Sequence, residues 1–132
     1  MSKRLQRRRR QATPEEMAAE EVEQLLAKLP PDLRGKASAI PVTFELEPTP
    51  EMLADGIAPD TLGLFIGDDY AHGWSGSGDA LPTQIILFIG NLWDMAEADE
   101  EVFRREVRKT VLHELGHYLG LNESELEARH LD

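Results

Sequence analysis

Residues 110–123 read Thr-Val-Leu-His-Glu-Leu-Gly-His-Tyr-Leu-Gly-Leu-Asn-Glu, and this stretch decides the fold of the chain. It closes a run with helical spacing, in which Asp99 can cap the start and Gly120 can take the left-handed turn at the end. The first half of the run is rich in arginine and the second half is apolar. The pattern predicts a helix that passes from the surface into the core.

Two histidines in this helix are spaced to share a metal ion. His113 and His117 are four residues apart, so they lie on one face, roughly 6 Å apart along the axis. Two imidazoles so placed can bind one Zn²⁺. Glu114 is turned by about 100° around the helix, beside the metal, where a general base can take a proton from a metal-activated water. Two hydrogen-bonded core histidines are the alternative, but burying three ionisable groups without a metal is costly.

The third metal ligand is less firmly indicated by the sequence. Gly120 lets the chain turn sharply, so that Glu123 can return a carboxylate and leave a fourth position open for water. Other candidates are at the end of the chain and in a glycine-rich loop: Glu125, Glu127, His130 and His72. We expect Glu123 to be the ligand.

The rest of the chain predicts an α+β domain over residues 13–132. Thr13 and Glu16 form a capping box before a helix at 14–29, which Pro30-Pro31 ends. Apolar and alternating runs predict a small mixed sheet of three to four strands, with the active-site helix packed across it. The strands are expected at 42–47, 61–66 and 84–89, and a short turn of helix is expected at 51–54.

Some aromatic and polar residues outside the motif have two interpretations each. His72 and Trp74, in the glycine-dense loop 67–79, are candidate substrate contacts, but a surface histidine and an aromatic side chain anchoring the loop are the alternatives. Tyr118 is a third candidate substrate contact, with packing in the core as the alternative. After the third strand, Trp93 and Met95 are expected to pack beneath the active-site helix.

Charge is distributed unevenly along the 132 residues. Six of the fourteen basic residues lie within the first ten positions, without any acid, and we interpret residues 1–12 as a disordered basic arm. The remainder carries 8 basic against 25 acidic residues, a formal balance of −17. This acidic remainder of the chain is expected to repel nucleic acid and anionic membranes. Nucleic acid is therefore expected to bind only through the arm.

The composition also bears on location. The chain has no cysteine, which excludes disulfides, thiolate-bound zinc and a cysteine nucleophile. It shows no secretory signal, and its longest apolar run, 85–89, is far too short to cross a bilayer. We therefore expect a cytoplasmic protein without a membrane partner.

The motif His-Glu-x-x-His-x-x-Gly-x-x-Glu at 113–123 resembles the extended zincin signature, in the metzincin-like spacing but with an acid as the third ligand. Together with the arginine-rich helix and further segments, it is similar to the small bacterial zincin-like metallopeptidase family over most of residues 14–131. The further segments are 40–42, 63–67, 81–88 and 91–93. The resemblance implies a minimal zincin-like core and a zinc-dependent hydrolysis of peptide bonds in peptide or protein substrates.

One departure from metzincins proper leaves the function open. Those enzymes place a methionine turn beneath the metal, whereas no methionine follows Met95 here. Without this turn, the lower half of the usual protease cleft is missing. Such a site could bind peptides weakly, be completed by a second copy in a homodimer, or have lost catalysis. The alternatives to a peptidase are a zinc-binding interaction module without turnover and a partner-binding module recruited by the basic arm.

Overall fold

The computed structural model describes residues 12–67, 83–121 and 124–125. Two helices precede the first strand, a short helix separates the first strand from the second, and two helices follow the third strand, the second of them the longest. In chain order the elements are α1 (Pro14–Lys28), α2 (Pro31–Ala37), β1 (Val42–Glu45), α3 (Pro50–Ala54), β2 (Gly63–Ile66), β3 (Gln84–Phe88), α4 (Ile89–Met95) and α5 (Glu100–Leu119).

The three strands form one mixed sheet in the order β1-β3-β2. Strand β3 pairs in parallel with β1 and antiparallel with β2, so that Ile85 lies between Val42 and Phe65. The central position of β3 explains its nearly continuous apolar sequence, because both of its faces are covered. Ile85 and Leu87 face the main core, while Ile86 and Phe88 belong to a smaller apolar cluster on the opposite face.

Helix α5 packs against the sheet and contacts β2, β3 and the helices α1, α2 and α4. Four of its apolar side chains are fully buried in the main core: Phe103, Val107, Val111 and Leu115. The expected α+β architecture, with the motif-bearing helix packed across a small mixed sheet, is confirmed.

The N-terminal helix begins where the sequence predicts. The Thr13 side chain accepts a hydrogen bond from the Glu16 backbone, and the Glu16 side chain accepts one from the Thr13 backbone, which is the full capping box. The helix ends at Lys28, and a second, unpredicted helix starts at Pro31. The same proline that cannot continue α1 is well suited to the first position of α2.

A further helix, α4, follows β3 without a loop, and it corrects one expectation. Trp93 packs on the core, with its ring edge-on to Phe103 of α5 at 5.2 Å between centroids. Met95 does not pack beneath α5, because it ends this short helix on the outer side and is 44% exposed. The side-chain amide of Asn91 in α4 donates to the Pro59 and Thr61 carbonyls and fixes the segment that enters β2.

Within the described residues, no helix is both long and apolar enough to cross a membrane. The predicted basic arm lies almost wholly outside the described residues, and most of the glycine-rich loop does too.

Candidate metal centre

The helix that carries the motif has a defined start and end. The Asp99 side chain accepts a hydrogen bond from the Val102 backbone at 3.0 Å, which satisfies one of the free donors of the first turn. At the other end Gly120 takes a left-handed conformation with φ of 73°, which ends α5 and redirects the chain. The motif thus occupies the last turns of a capped helix, as the sequence predicts.

His113, Glu114 and His117 form a compact group of potential metal ligands. Each offers one nitrogen or oxygen atom such that these atoms all lie within 4.8 Å of one another. The two imidazole rings are 4.7 Å apart between centroids. Both histidines are exposed to solvent, whereas Glu114 is buried, with 8% of its surface accessible. An ion entering from solvent would therefore meet the histidines first.

The carboxylate of Glu114 is held between α5 and the sheet. One oxygen lies 3.6 Å from Nδ1 of His117, and the backbone of Phe65 in β2 gives the carboxylate a hydrogen bond. Burial raises the pKa of Glu114 above its ordinary value, and the charges of His117 and His113 and the Phe65 hydrogen bond offset only part of this rise. The environment therefore increases the proton affinity of this carboxylate.

The donor set fits a zinc ion. Imidazole nitrogen and carboxylate oxygen are the ligands of catalytic zinc sites, which use three protein ligands and keep one position for water or substrate. Within the described part of the chain, the two imidazoles can supply two of these ligands, and the carboxylate of Glu114 lies beside them. A comparison with protein-family profiles matches residues 37–131, well over half of the chain, to zincin-like metallopeptidases.

The chain belongs to the zincin-like metallopeptidase family. Membership implies a bound metal, typically zinc, and protein substrates. The matched range begins at the end of α2, so helix α1 of this zincin-like protein lies outside it. A comparison with curated proteins finds no match.

A groove of about 340 Å³ opens beside the motif of the zincin-like protein. Its walls come from the start of β2 and from one face of α5, and His113 and Glu114 form one end. The lining residues are Leu62, Gly63, Glu106, Lys109, Thr110, His113 and Glu114. Volumes of this order are typical of ligand sites.

Among the described strands, β2 lies at one edge of the sheet, and it borders this groove. The Phe88 backbone donates to the Leu62 carbonyl, so Leu62 and every second residue after it direct their backbone groups toward β3. The backbone groups of Gly63 and Phe65 consequently point away from the sheet. The hydrogen bond from Phe65 to Glu114 agrees with this alternation.

The structure describes only some of the residues singled out from the sequence. Glu123, the expected third ligand, lies outside the described residues, as do His72, Trp74, Glu127 and His130. Glu125 is described and does not belong to the ligand group. Tyr118 is half-buried against the main core, 5.8 Å from the Phe65 ring between centroids. Its proposed contact with substrate stays a prediction.

Several groove residues were not identified from the sequence. Glu106, Thr110 and His113 recur at spacings of four and three, so they lie on one helical face, and this spacing could have linked Glu106 to the motif. Gly63 could not be found in this way, since its role depends on the approach of α5 to β2, which no local pattern encodes.

Proposed function

We propose that this protein is a zinc-dependent peptidase in which Glu114 acts as the general base. The observation that carries the proposal is the grouping of His113, Glu114 and His117 within 4.8 Å at the end of a groove. The two histidines are exposed and the carboxylate is buried between them and the sheet. This arrangement separates two ligands from one acid–base group.

His113 and His117 would hold the zinc ion, and Glu123 would complete the ligand set. The left-handed turn at Gly120 lies three residues before Glu123, which supports a return of the chain toward the histidines. When bound, zinc lowers the pKa of a water molecule and polarises a carbonyl oxygen. Binding requires neutral imidazoles, so zinc affinity should fall at acidic pH.

Glu114 would move the proton in each step. It takes the proton from the attacking water and then passes it to the amine that leaves when the peptide bond breaks. The hydrogen bond from the Phe65 backbone fixes the carboxylate, and burial favours its protonated form once it has accepted the proton. General acid–base catalysis of this kind contributes about 10²- to 10⁴-fold to the rate.

An extended peptide would bind along the edge of β2 that faces away from β3. The backbone groups of Gly63 point away from β3, toward the position of such a peptide, while the Phe65 amide donates to Glu114. A peptide paired there passes over the groove with its backbone beside the motif. Main-chain pairing then supplies affinity, and the groove supplies contacts to a side chain.

The test compares zinc content and peptide cleavage in three proteins. Wild type should bind one zinc per chain and cleave a mixed peptide library. Glu114→Gln should keep the zinc and lose cleavage by about 100-fold or more, because it removes the base and leaves the ligands. His113→Ala should lose both. Zinc binding without cleavage in wild type would instead support an interaction module, and equal zinc content in wild type and His113→Ala would refute the metal site.

A further inference from the structure

The groove beside the motif carries two charged side chains of opposite sign, both from α5. Glu106 and Lys109 are three residues apart and form an ion pair at 3.5 Å. No other hydrogen bond or ion pair of Glu106 occurs among the described residues. The rest of the lining next to them is apolar or neutral: Leu62, Gly63 and Thr110.

The two charged side chains differ in their exposure to solvent. The Glu106 side chain is 16% exposed, whereas that of Lys109 is 63% exposed. The ammonium group therefore extends into solvent, where its charge is screened, and an ion pair of this kind contributes little. The Glu106 side chain is largely covered by the protein, so its interaction with a bound cation is screened less than that of Lys109 with solvent ions. The charge that a bound side chain would meet is negative.

The position of Glu106 sets which part of a peptide it can contact. It precedes His113 by seven residues, two helical turns, or roughly 10 Å along the axis. An extended peptide rises about 3.3 Å per residue, so this distance corresponds to about three residues from the metal centre. A long side chain from a residue nearer to the cleaved bond can reach the same point.

We propose that Glu106 makes the groove selective for a lysine or arginine side chain within about three residues of the cleaved peptide bond. The proposal rests on the peptidase function proposed above. The cationic group of the substrate pairs with the Glu106 carboxylate and displaces Lys109, while its alkyl stem lies against Leu62 and Thr110. A neutral side chain leaves the Glu106 carboxylate with its weak ion pair only, and an acidic side chain is repelled.

The first test measures cleavage of matched peptides that carry lysine, norleucine or glutamate at each of three positions on either side of the cleaved bond. At one of these positions wild type should cleave the lysine peptide roughly tenfold faster than the norleucine peptide, the effect of one charge-assisted hydrogen bond. Glu106→Gln should bring this ratio close to one, and Lys109→Met should raise it. Because the ratio is taken within one variant, a loss of folded protein does not alter it.

The matched control is Glu101→Gln, which removes an exposed carboxylate from the same helix outside the groove. It should keep both the activity and the lysine preference of wild type. An equal loss of preference in Glu101→Gln and Glu106→Gln would overturn the proposal, since the helix as a whole would then set the preference. So would a lysine preference that survives Glu106→Gln, or a preference for glutamate in wild type.

The second test separates this inference from the proposed function. Binding of the lysine and norleucine peptides is measured by fluorescence anisotropy on Glu114→Gln and on the double variant Glu106→Gln/Glu114→Gln, which do not need to turn over. A lysine preference of roughly tenfold in the first and its loss in the second support the role of Glu106 even if wild type cleaves nothing. Equal binding of both peptides to Glu114→Gln would refute it, whatever the cleavage results.

Discussion

At the scale of single residues, Gly63 sets the distance between strand β2 and helix α5. A Cβ atom built on Gly63 would lie 2.5 Å from Cγ2 of Thr110, closer than any real contact, and Thr110 is itself buried on α5. The absence of a side chain thus lets α5 approach the edge strand, which brings Glu114 within reach of the Phe65 backbone. Close approach of two backbones is a recurrent use of glycine.

We expect Gly63→Ala to lower the free energy of unfolding by about 1–3 kcal/mol, the usual cost of overpacking a core site. Urea denaturation measures this change. The added methyl group has to push α5 away from β2, so peptide cleavage should fall as well. Thr110→Ser in the same chain removes Cγ2 and should restore part of both losses.

Gly35 provides the control for this substitution. It lies inside helix α2, and a Cβ atom there would have no neighbour within 4 Å. Gly35→Ala should therefore leave cleavage unchanged and raise stability by up to about 1 kcal/mol, through helix propensity. If Gly63→Ala were as stable as Gly35→Ala, the close approach of α5 to β2 would be wrong.

At the scale of whole elements, a cluster of salt bridges links helix α1 to α5. Glu21 of α1 is 5% exposed and accepts hydrogen bonds from Arg104 at 2.8 Å and from Arg108 at 2.6 Å. Arg104 also pairs with Glu20 and Glu100. Burial alone raises the pKa of Glu21, but the two arginines outweigh it, so the pKa lies below its ordinary value of 4.5.

This cluster predicts how stability depends on pH. A lowered pKa in the folded state means that the ionised carboxylate stabilises the fold above pH 4.5, and that this contribution disappears as the pH falls through the folded-state pKa. Glu21→Gln should therefore cost about 1–3 kcal/mol at neutral pH, since two arginines lose a buried acceptor. The difference from wild type should shrink below pH 4.5 in urea denaturation series.

The exposed neighbour Glu23 is the control, because it lies on the same helix outside the cluster. Glu23→Gln should change stability by less than about 0.5 kcal/mol at every pH. A cost of Glu21→Gln that stays constant down to pH 2 would show that ionisation of Glu21 does not stabilise the fold.

The sequence predicted those elements whose signals are local. The caps at Thr13, Asp99 and Gly120 act within a few residues, so the start of α1 and both bounds of α5 followed from them. Helix α2 was missed because Pro31 is read as a stop, and α4 was missed because it continues the apolar run of β3 without a break.

In the candidate site, too, the sequence predicted the residues that lie close together in the chain and not the contacts between distant ones. His113, Glu114 and His117 are four residues apart at most, so helical geometry alone brings them together. The groove, the Phe65 hydrogen bond and the pairing of Arg104 and Arg108 with Glu21 join residues far apart in the chain. These contacts depend on how the elements pack, which spacing does not show.

At the scale of the whole molecule, zinc binding and folding should be coupled. The proposed ligands come from the end of α5 and from the segment after Gly120, and the unfolded chain does not hold them together. Zinc at 100 times its dissociation constant should stabilise the protein by about 2.7 kcal/mol. Thermal unfolding with zinc and with a chelator measures this difference, which should vanish in His117→Ala.

The same measurement identifies the third ligand. Glu123→Gln should reduce the stabilisation by zinc, whereas Glu125→Gln, whose position is outside the ligand group, should leave it unchanged. The reverse result would assign the ligand to Glu125 and would contradict the turn of the chain proposed after Gly120.

The central claim is that Glu114 is the general base of a zinc-dependent peptidase, and one titration tests it most directly. Zinc is added in steps to metal-free wild type and Glu114→Gln, and peptide cleavage is measured against zinc bound per chain. The wild-type rate should rise in proportion to bound zinc and level off at one ion per chain, while Glu114→Gln stays about 100-fold lower at the same occupancy. Rates that rise equally in both proteins, or in neither, would contradict the claim.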